Sequence, residues 1–485
     1  MIEEMPLGDR WQRIGIGRHA GVAIPLFSLR TEQSCGVGEF LDLPLLFEWC
    51  SRVGMDVVQL LPLNDSGDDP SPYSGVSAFA LNPIYISLSA LPHAKGLAPF
   101  RRKNKNQRLN YQAIRAMKLD WLQDYFEQWG EGDLASEEYA TWCDEEEWLE
   151  GYCRFVETGS EPLGFISWLQ FICHKQLAAV ADEARGRSIL LMGDLPILIG
   201  RGSADVHHHP QLFDLRFSAG APPDQYSSRG QNWGLPIYNW EAHFTSDFAW
   251  WKRRLRLAER YFDLYRLDHI VGFFRFWSIP TGKSGRKGAF RPSKSAEQME
   301  LGEKILRHLT SLTPMLPIGE DLGSVPDRVR EVMLEIGIPG TKVLRWERRW
   351  KKKGHPCIPI RNYPQASLAT VSTHDAEPLT LWWKRNKNSA TYAHQNGWPY
   401  IQPLSKEVLM AMLRQSHTAP SLFTVNPLGE YLALFPELVW DRPADERINV
   451  PGTVSRRNWS YRIRPTLEEL LGHEPLQEAV RGLIQ

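Results

Sequence analysis

The sequence predicts an α/β fold: a (β/α)8 TIM barrel with helical and loop insertions and no C-terminal β-sandwich domain. Three observations predict it. Eight short apolar runs alternate along the chain with segments of helical period, the pattern of parallel βα units. Four of these runs close on a carboxylate, at Asp194, Asp268, Glu320 and Asp375, and barrels of this class carry their chemistry at the C-terminal strand ends. The 485 residues hold one barrel of about 250 residues with large insertions, and too few follow position 440 or so for a sandwich.

The elements are read in order. Val22 to Leu29 reads as a short buried strand, and Val57 to Leu61 as a second, after a helical pattern from Phe40 to Val53. Alternation then breaks, and residues 62–165 read as an inserted loop and helical subdomain. Between 107 and 157 that insertion carries 13 acids against 4 bases, with Trp121, Tyr125, Trp129, Trp142 and Trp148 interspersed. Phe165 to Ala184 has helical period, and Ile189 to Met192 is a strand ending in Gly193-Asp194. A second insertion, 200–245, reads as loop. Phe248 to Arg260 is helical, and Phe262 to Asp268 is a strand. Leu301 to Ser311 is a helix before the strand Met315 to Ile318, which ends in Gly319-Glu320-Asp321. Pro326 to Ile336, Thr341 to Trp346, Ala369 to Ser372, Val408 to Gln415 and Leu422 to Val425 complete the alternation. The whole of 1–485 is expected to be a single catalytic barrel domain.

Composition narrows the function. Apolar residues are 42% and charged residues 23%, enough for a large core in a water-soluble chain. Fifty-six bases balance 57 acids, so no global field draws the chain to nucleic acid or anionic lipid. No run of about 18 apolar residues crosses a membrane. The start, Met1-Ile2-Glu3-Glu4-Met5, lacks the apolar stretch of a signal peptide. Six dispersed cysteines without a C-x-x-C pair point away from zinc and disulfides, and the expected compartment is the cytoplasm. Nineteen tryptophans and 15 tyrosines mostly fill a core. A few are expected to line a groove, where a ring offers an apolar face and a polar tip to a sugar.

Several motifs are decoys. Gly15-x-Gly17-x-x-Ala20 precedes a strand instead of following one, so it is not a dinucleotide site. Thr281-Gly282-Lys283-Ser284 lacks the first glycine of a P-loop, because Trp277 stands there. There is no G-x-S-x-G serine elbow. The His207-His208-His209 run is a poor metal site, because adjacent histidines diverge. Lys351-Lys352-Lys353 reads as a solvated face.

Converging carboxylates suit a divalent metal or glycosidic chemistry. Metal sites usually mix acids with histidines, and only His374 accompanies these acids. Glycosidic chemistry needs one carboxylate as nucleophile and a second kept protonated. Arg266 stands two residues before Asp268, on the same strand face, where its charge would hold the aspartate ionised. A buried Arg–Asp pair that only stiffens the fold is the structural alternative.

Together the motifs resemble one family, the amylomaltases, 4-α-glucanotransferases of the α-amylase clan. The resemblance rests on Arg266-Leu267-Asp268-His269, Gly319-Glu320-Asp321-Leu322-Gly323 and Thr373-His374-Asp375. It extends to Pro72-Tyr73-Ser74 with Ser77-Ala78-Phe79-Ala80, and to Gly193-Asp194-Leu195-Pro196. Pro222-Pro223-Asp224 with Gly230-Gln231-x-Trp233-Gly234, Asn449-x-Pro451-Gly452-Thr453 and Asn458-Trp459 add to it. It spans about 22 to 462. The resemblance implies Asp268 as nucleophile, Glu320 as general acid/base and Asp375 as the third carboxylate. It implies Tyr73, Asp194, Trp233, Arg266, His374 and Asn449 as substrate-binding residues, with 200–245 as the acceptor-side loop. It implies α-1,4-glucan substrates (malto-oligosaccharides, amylose, glycogen), no cofactor and no metal. Departures fall at Ile270-Val271-Gly272, where the family usually has Phe-Arg-Gly, and at Arg229, Leu235 and the triple histidine. An amylase-like hydrolase and a catalytically silent glucan-binding protein are the alternatives.

Overall fold

A computed structural model describes residues 2–156, 163–223, 229–349 and 352–484. Its centre is a closed parallel barrel of eight strands. These are β1 (His19–Ile24), β2 (Val57–Leu60), β3 (Leu190–Leu195), β6 (Leu264–Leu267), β9 (Leu316–Gly319), β10 (Gly340–Val343), β11 (Ser367–Thr370) and β12 (Phe423–Pro427). The four remaining strands, β4 (Phe213–Ala221), β5 (Gln231–Tyr238), β7 (Phe276–Pro280) and β8 (Ala289–Arg291), form a separate antiparallel sheet in the order β5-β4-β7-β8.

All eight expected strands are present, each within a few residues of its expected place. Their residues are buried almost without exception, because helices cover the outside and side chains fill the inside. The first strand is displaced most. It ends at Ile24, and a 3-10 turn at Leu26–Ser28 follows Pro25. Leu43–Val53 shows how a covering helix is specified. Pro44 sits in its first turn, and Gly54 ends it in the left-handed region at φ 84°. Leu46, Trp49, Cys50 and Val53, spaced as one helix face, are buried.

The stretch read as loop over 202–245 is the main correction. It contains two short helices, Ala204–His208 and Trp240–Thr245, and both strands of the hairpin β4–β5. Glycines, prolines and an irregular register, with shifts between Asp214 and Gly220, hide the strand period. This sheet grows from the segments after β3 and β6, so it stands at the C-terminal end of the barrel.

Among the described residues between β2 and the helix Leu163–Gly186 lie four α-helices, Ala98–Asn104, Tyr111–Leu134, Glu137–Glu145 and Leu149–Val156. A fully buried Lys118–Glu39 ion pair ties the longest of them to the barrel. After β12 the chain returns across the mouth. Arg462, wholly buried, donates to the carbonyls of Leu29 (2.7 Å) and Gly36 (2.9 Å) and to Asn104 Oδ1 (2.7 Å). That anchor holds the segment carrying Asn449 and Trp459 over the barrel.

Candidate active site

The strand order places the acids. In the barrel β6 lies between β3 and β9, with Asp194 beside Arg266 in register and Leu267 beside Gly319. Arg266 Nη1 therefore lies 2.9 Å from both oxygens of Asp194 and 2.9 Å from Asp268 Oδ1, while Nη2 is 3.9 Å from Glu320 Oε2. The same-face reading of Arg266 and Asp268 agrees with this contact. The bidentate partner, however, is Asp194 on the next strand, which intra-strand period cannot reveal. Burial opposes the charge of Arg266, but Asp194 and Asp268 outweigh it and hold the guanidinium well above its ordinary range.

Glu320 is locked to β6 by backbone. Its N–H donates to Leu267 O (3.0 Å), and the Ile270 N–H donates to its carbonyl (3.2 Å). The His269 N–H, next to Asp268, donates to Glu320 Oε2 at 2.8 Å. His269 takes a left-handed backbone, φ 48°, a strained choice for a side chain of this size. Burial is the main cause that pushes the Glu320 carboxyl up to about 8. Arg266 works against it, and the Asp268 charge adds to it.

Asp375 stands farther from its strand, in the loop after β11. Asn449 Nδ2 donates to its Oδ1 at 2.7 Å, and His374 Nε2 lies 3.5 Å from Oδ2. Burial opposes its charge, but His374 and Asn449 prevail and hold it at about 2. Tyr73 Oη donates to Asp194 Oδ2 (2.7 Å), and its ring stacks on His374 at 5.2 Å. Trp233 reaches the site from β5, edge-on to His269 at 5.1 Å. Arg266, Glu320 and His374 line one cavity at the mouth, with Gln59, Thr341 and Ile448.

Each of the nine expected site residues thus lies at the barrel mouth or one ring away. Two contributors escaped the sequence reading. His269 acts through its amide, which leaves no side-chain signal. Trp459 packs on Tyr73 and His374 at 5.6 and 6.0 Å; its Asn-Trp motif was visible, its place was not. Among the other rings of the 200–245 segment, Tyr238 is buried with its hydroxyl on Ile197 O, and Trp240 packs against it at 4.6 Å. Both serve the core. Tyr226, Asp224 and Lys351 lie outside the described residues. Val271 is buried, so the arginine missing there leaves an apolar contact in its place. His208 meets Gly151 O at 2.8 Å and His207 meets the Phe155 ring, so this run packs on the helix Leu149–Val156. Among the described residues no three His, Cys, Asp or Glu are grouped to hold a metal ion, and no helix is long and apolar enough to cross a membrane.

Comparison with known proteins decides the family. Residues 24–161 and 156–468 match the 4-alpha-glucanotransferase family. The chain belongs to that family. A 4-alpha-glucanotransferase of Chlamydia caviae is 40% identical, covering 98% of this chain and 96% of its own. One of Chlamydia trachomatis is 37% identical over 100% and 98%. Amylomaltase from Streptococcus agalactiae, solved in complex with acarbose, superposes with a TM-score of 0.82 at 24% identity, covering 96% of this chain and 98% of that one. This last likeness shows the fold, the same closed barrel with its insertions. Family membership covers the barrel, both insertions and the segment that returns over the mouth.

Proposed function

We propose that this 4-alpha-glucanotransferase moves α-1,4-glucan segments by a retaining, double-displacement reaction in which Asp268 is the nucleophile and Glu320 the acid/base. The observation that carries the reading is the unequal contact of two carboxyls with one arginine. Asp268 has the close ion contact to Arg266. Glu320, at 3.9 Å and more enclosed, is pushed up to about 8 and keeps its proton near neutrality. A retaining pair needs separation small enough for direct attack, about 5–5.5 Å, and two groups against one guanidinium suit it.

In the first step an Asp268 oxygen bonds to the anomeric carbon of the donor. The bond from that carbon to the leaving glycosidic oxygen breaks, and Glu320 gives that oxygen its proton. In the second step Glu320, now a carboxylate, takes the proton of an acceptor 4-hydroxyl. The acceptor oxygen bonds to the anomeric carbon and frees Asp268. Asp375, held anionic by His374 and Asn449, accepts hydrogen bonds from donor hydroxyls. Tyr73 and Asp194, fixed to each other, brace the ring from the side. Trp233 presents an aromatic edge where an acceptor sugar would displace water.

The test is the product profile from maltotriose. Transfer yields glucose and a ladder of longer oligomers at nearly constant reducing ends. Steady gain of reducing ends with nothing longer than the substrate would leave an amylase-like hydrolase as the better account.

A further inference from the structure

We infer that Asp321, with Lys342 and Arg330, is the positioning device that holds Glu320 in place at the thinnest seam of the barrel. The inference rests on the acid/base reading of Glu320. Among the described residues β9 and β10 share one register pair, Gly319 with Gly340, where each of the other seven seams has two to five. Glu320 is the first residue beyond that seam. A carboxyl whose proton must reach a glycosidic oxygen stands on the least laddered edge, where a shift of about 1 Å can cost on the order of a hundredfold in rate.

Side chains supply what the ladder lacks. The Asp321 carboxylate accepts the backbone N–H of Thr341 at 2.8 Å, so it stands in for a strand carbonyl. Thr341 Oγ1 donates back to Gly319 O at 3.0 Å. The other Asp321 oxygen takes Lys342 Nζ at 2.9 Å and Arg330 Nε at 2.8 Å, and Arg330 Nη2 also donates to Asp321 O at 3.0 Å. One buried carboxylate therefore joins β9, β10 and the helix Asp327–Ile336. A Cβ on Gly340 would lie 2.9 Å from Asp321 Oδ1, so glycine there admits the carboxylate. Removing one member of such a buried network strands the others, which makes it rigid.

The cluster is also electrically coupled to Glu320. Burial dominates the rise of that carboxyl, Arg266 opposes it, and Asp268 and then Asp321 add to it. Lys342 and Arg330 offset Asp321, and Glu347 faces all three. His269 meets Glu320 through its amide. Asp321 touches no substrate, so its effect should fall on kcat and on the pH profile and spare KM.

Asp321→Asn and Lys342→Met test this in the full-length enzyme, with kcat and KM for maltotriose and for α-glucosyl fluoride followed across pH. Asp321→Asn should lower kcat on maltotriose ten- to a hundredfold, on the order expected for misplacement, with a much smaller loss on the fluoride, whose leaving group needs no proton. Its basic limb should move to lower pH by on the order of one unit. Lys342→Met should move the limb to higher pH, because it leaves Asp321 less compensated. Loss of thermal stability in both variants with unmoved limbs, or equal losses on both substrates, would overturn the proposal and leave a structural brace. Should Asp321→Asn fail to fold, an unmoved limb in Lys342→Met overturns it alone. If Glu320→Gln keeps the wild-type limb on maltotriose, the acid/base reading fails, and this proposal with it.

Discussion

On the β6–β9 side of the mouth, Glu320 is enclosed beside Asp268 and pushed up to about 8; on the β11 side, Asp375 meets His374 and Asn449 and is held at about 2. Both are carboxyls at the mouth of one barrel. The difference lies in what each receives. Glu320 shares its arginine with Asp268 and Asp194, so little of that charge remains for it. Asp375 has an imidazole and an amide donor of its own. Burial sets the direction only where partners do not outweigh it. A single site thereby keeps a proton on one acid and charge on another.

The largest effect that bears on this contrast is expected from Asp268→Asn. The change is nearly isosteric, so melting temperature should hold, while turnover falls on the order of thousands-fold or more. Near-wild-type turnover in a contaminant-free preparation would reject the nucleophile assignment. Glu320→Gln comes next. A loss of about a hundred- to ten-thousandfold is expected on malto-oligosaccharides, with far less on α-glucosyl fluoride; similar losses on both would put Glu320 outside proton transfer.

A pH titration sharpens the same comparison. Protonated Glu320 is present below about 8, so kcat/KM should fall as pH rises through that value. Its folded-state carboxyl lies above the ordinary 4.5, so it favours the native state below that value, and this contribution is lost as pH rises towards 8. Asp375 is the reverse case. Its contribution is present above 3.8 and lost as pH falls through about 2. Asn449→Ala should raise the Asp375 carboxyl and weaken donor binding by on the order of tenfold, as for one lost hydrogen bond to a charged group. An unchanged KM and rate would remove Asn449 from the site.

Trp233→Ala is a milder break, because this ring meets His269 edge-on and gives its N–H to Gln231 Oε1. Hydrolysis should gain on transfer, read as reducing ends per oligomer formed. An unaltered ratio would place the ring outside the acceptor path. The smallest effect is expected from excess chelator, which should leave turnover unchanged; loss with rescue by one divalent ion would revive metal-assisted hydrolysis.

Much of the site was legible residue by residue. Apolar runs marked the strands because a parallel strand is buried on both faces, and a polar residue ending such a run is conspicuous. The hairpin β4–β5 was illegible for the opposite reason. Its strands are partly exposed, interrupted by Gly220, Gly234 and Pro236, and out of register, so no period survives. Tyr238 and Trp240 looked like Trp233 in sequence, and only packing separated the two core rings from the one at the mouth.

Local sequence carries the succession of eight strands along the chain, the acids that end the strands and the family motifs that join them. These are local: strand period, turn residues and short motifs depend on neighbours in the chain. Which acid holds which partner is set by contacts between distant parts of the chain. Arg266 and Asp194 lie 72 residues apart, Asp375 and Asn449 lie 74 apart, and His269 reaches Glu320 through a backbone amide. Protonation follows from those distances and from burial, because a charge responds to whatever stands within a few ångströms of it, and strand pairing and loop return set that neighbourhood.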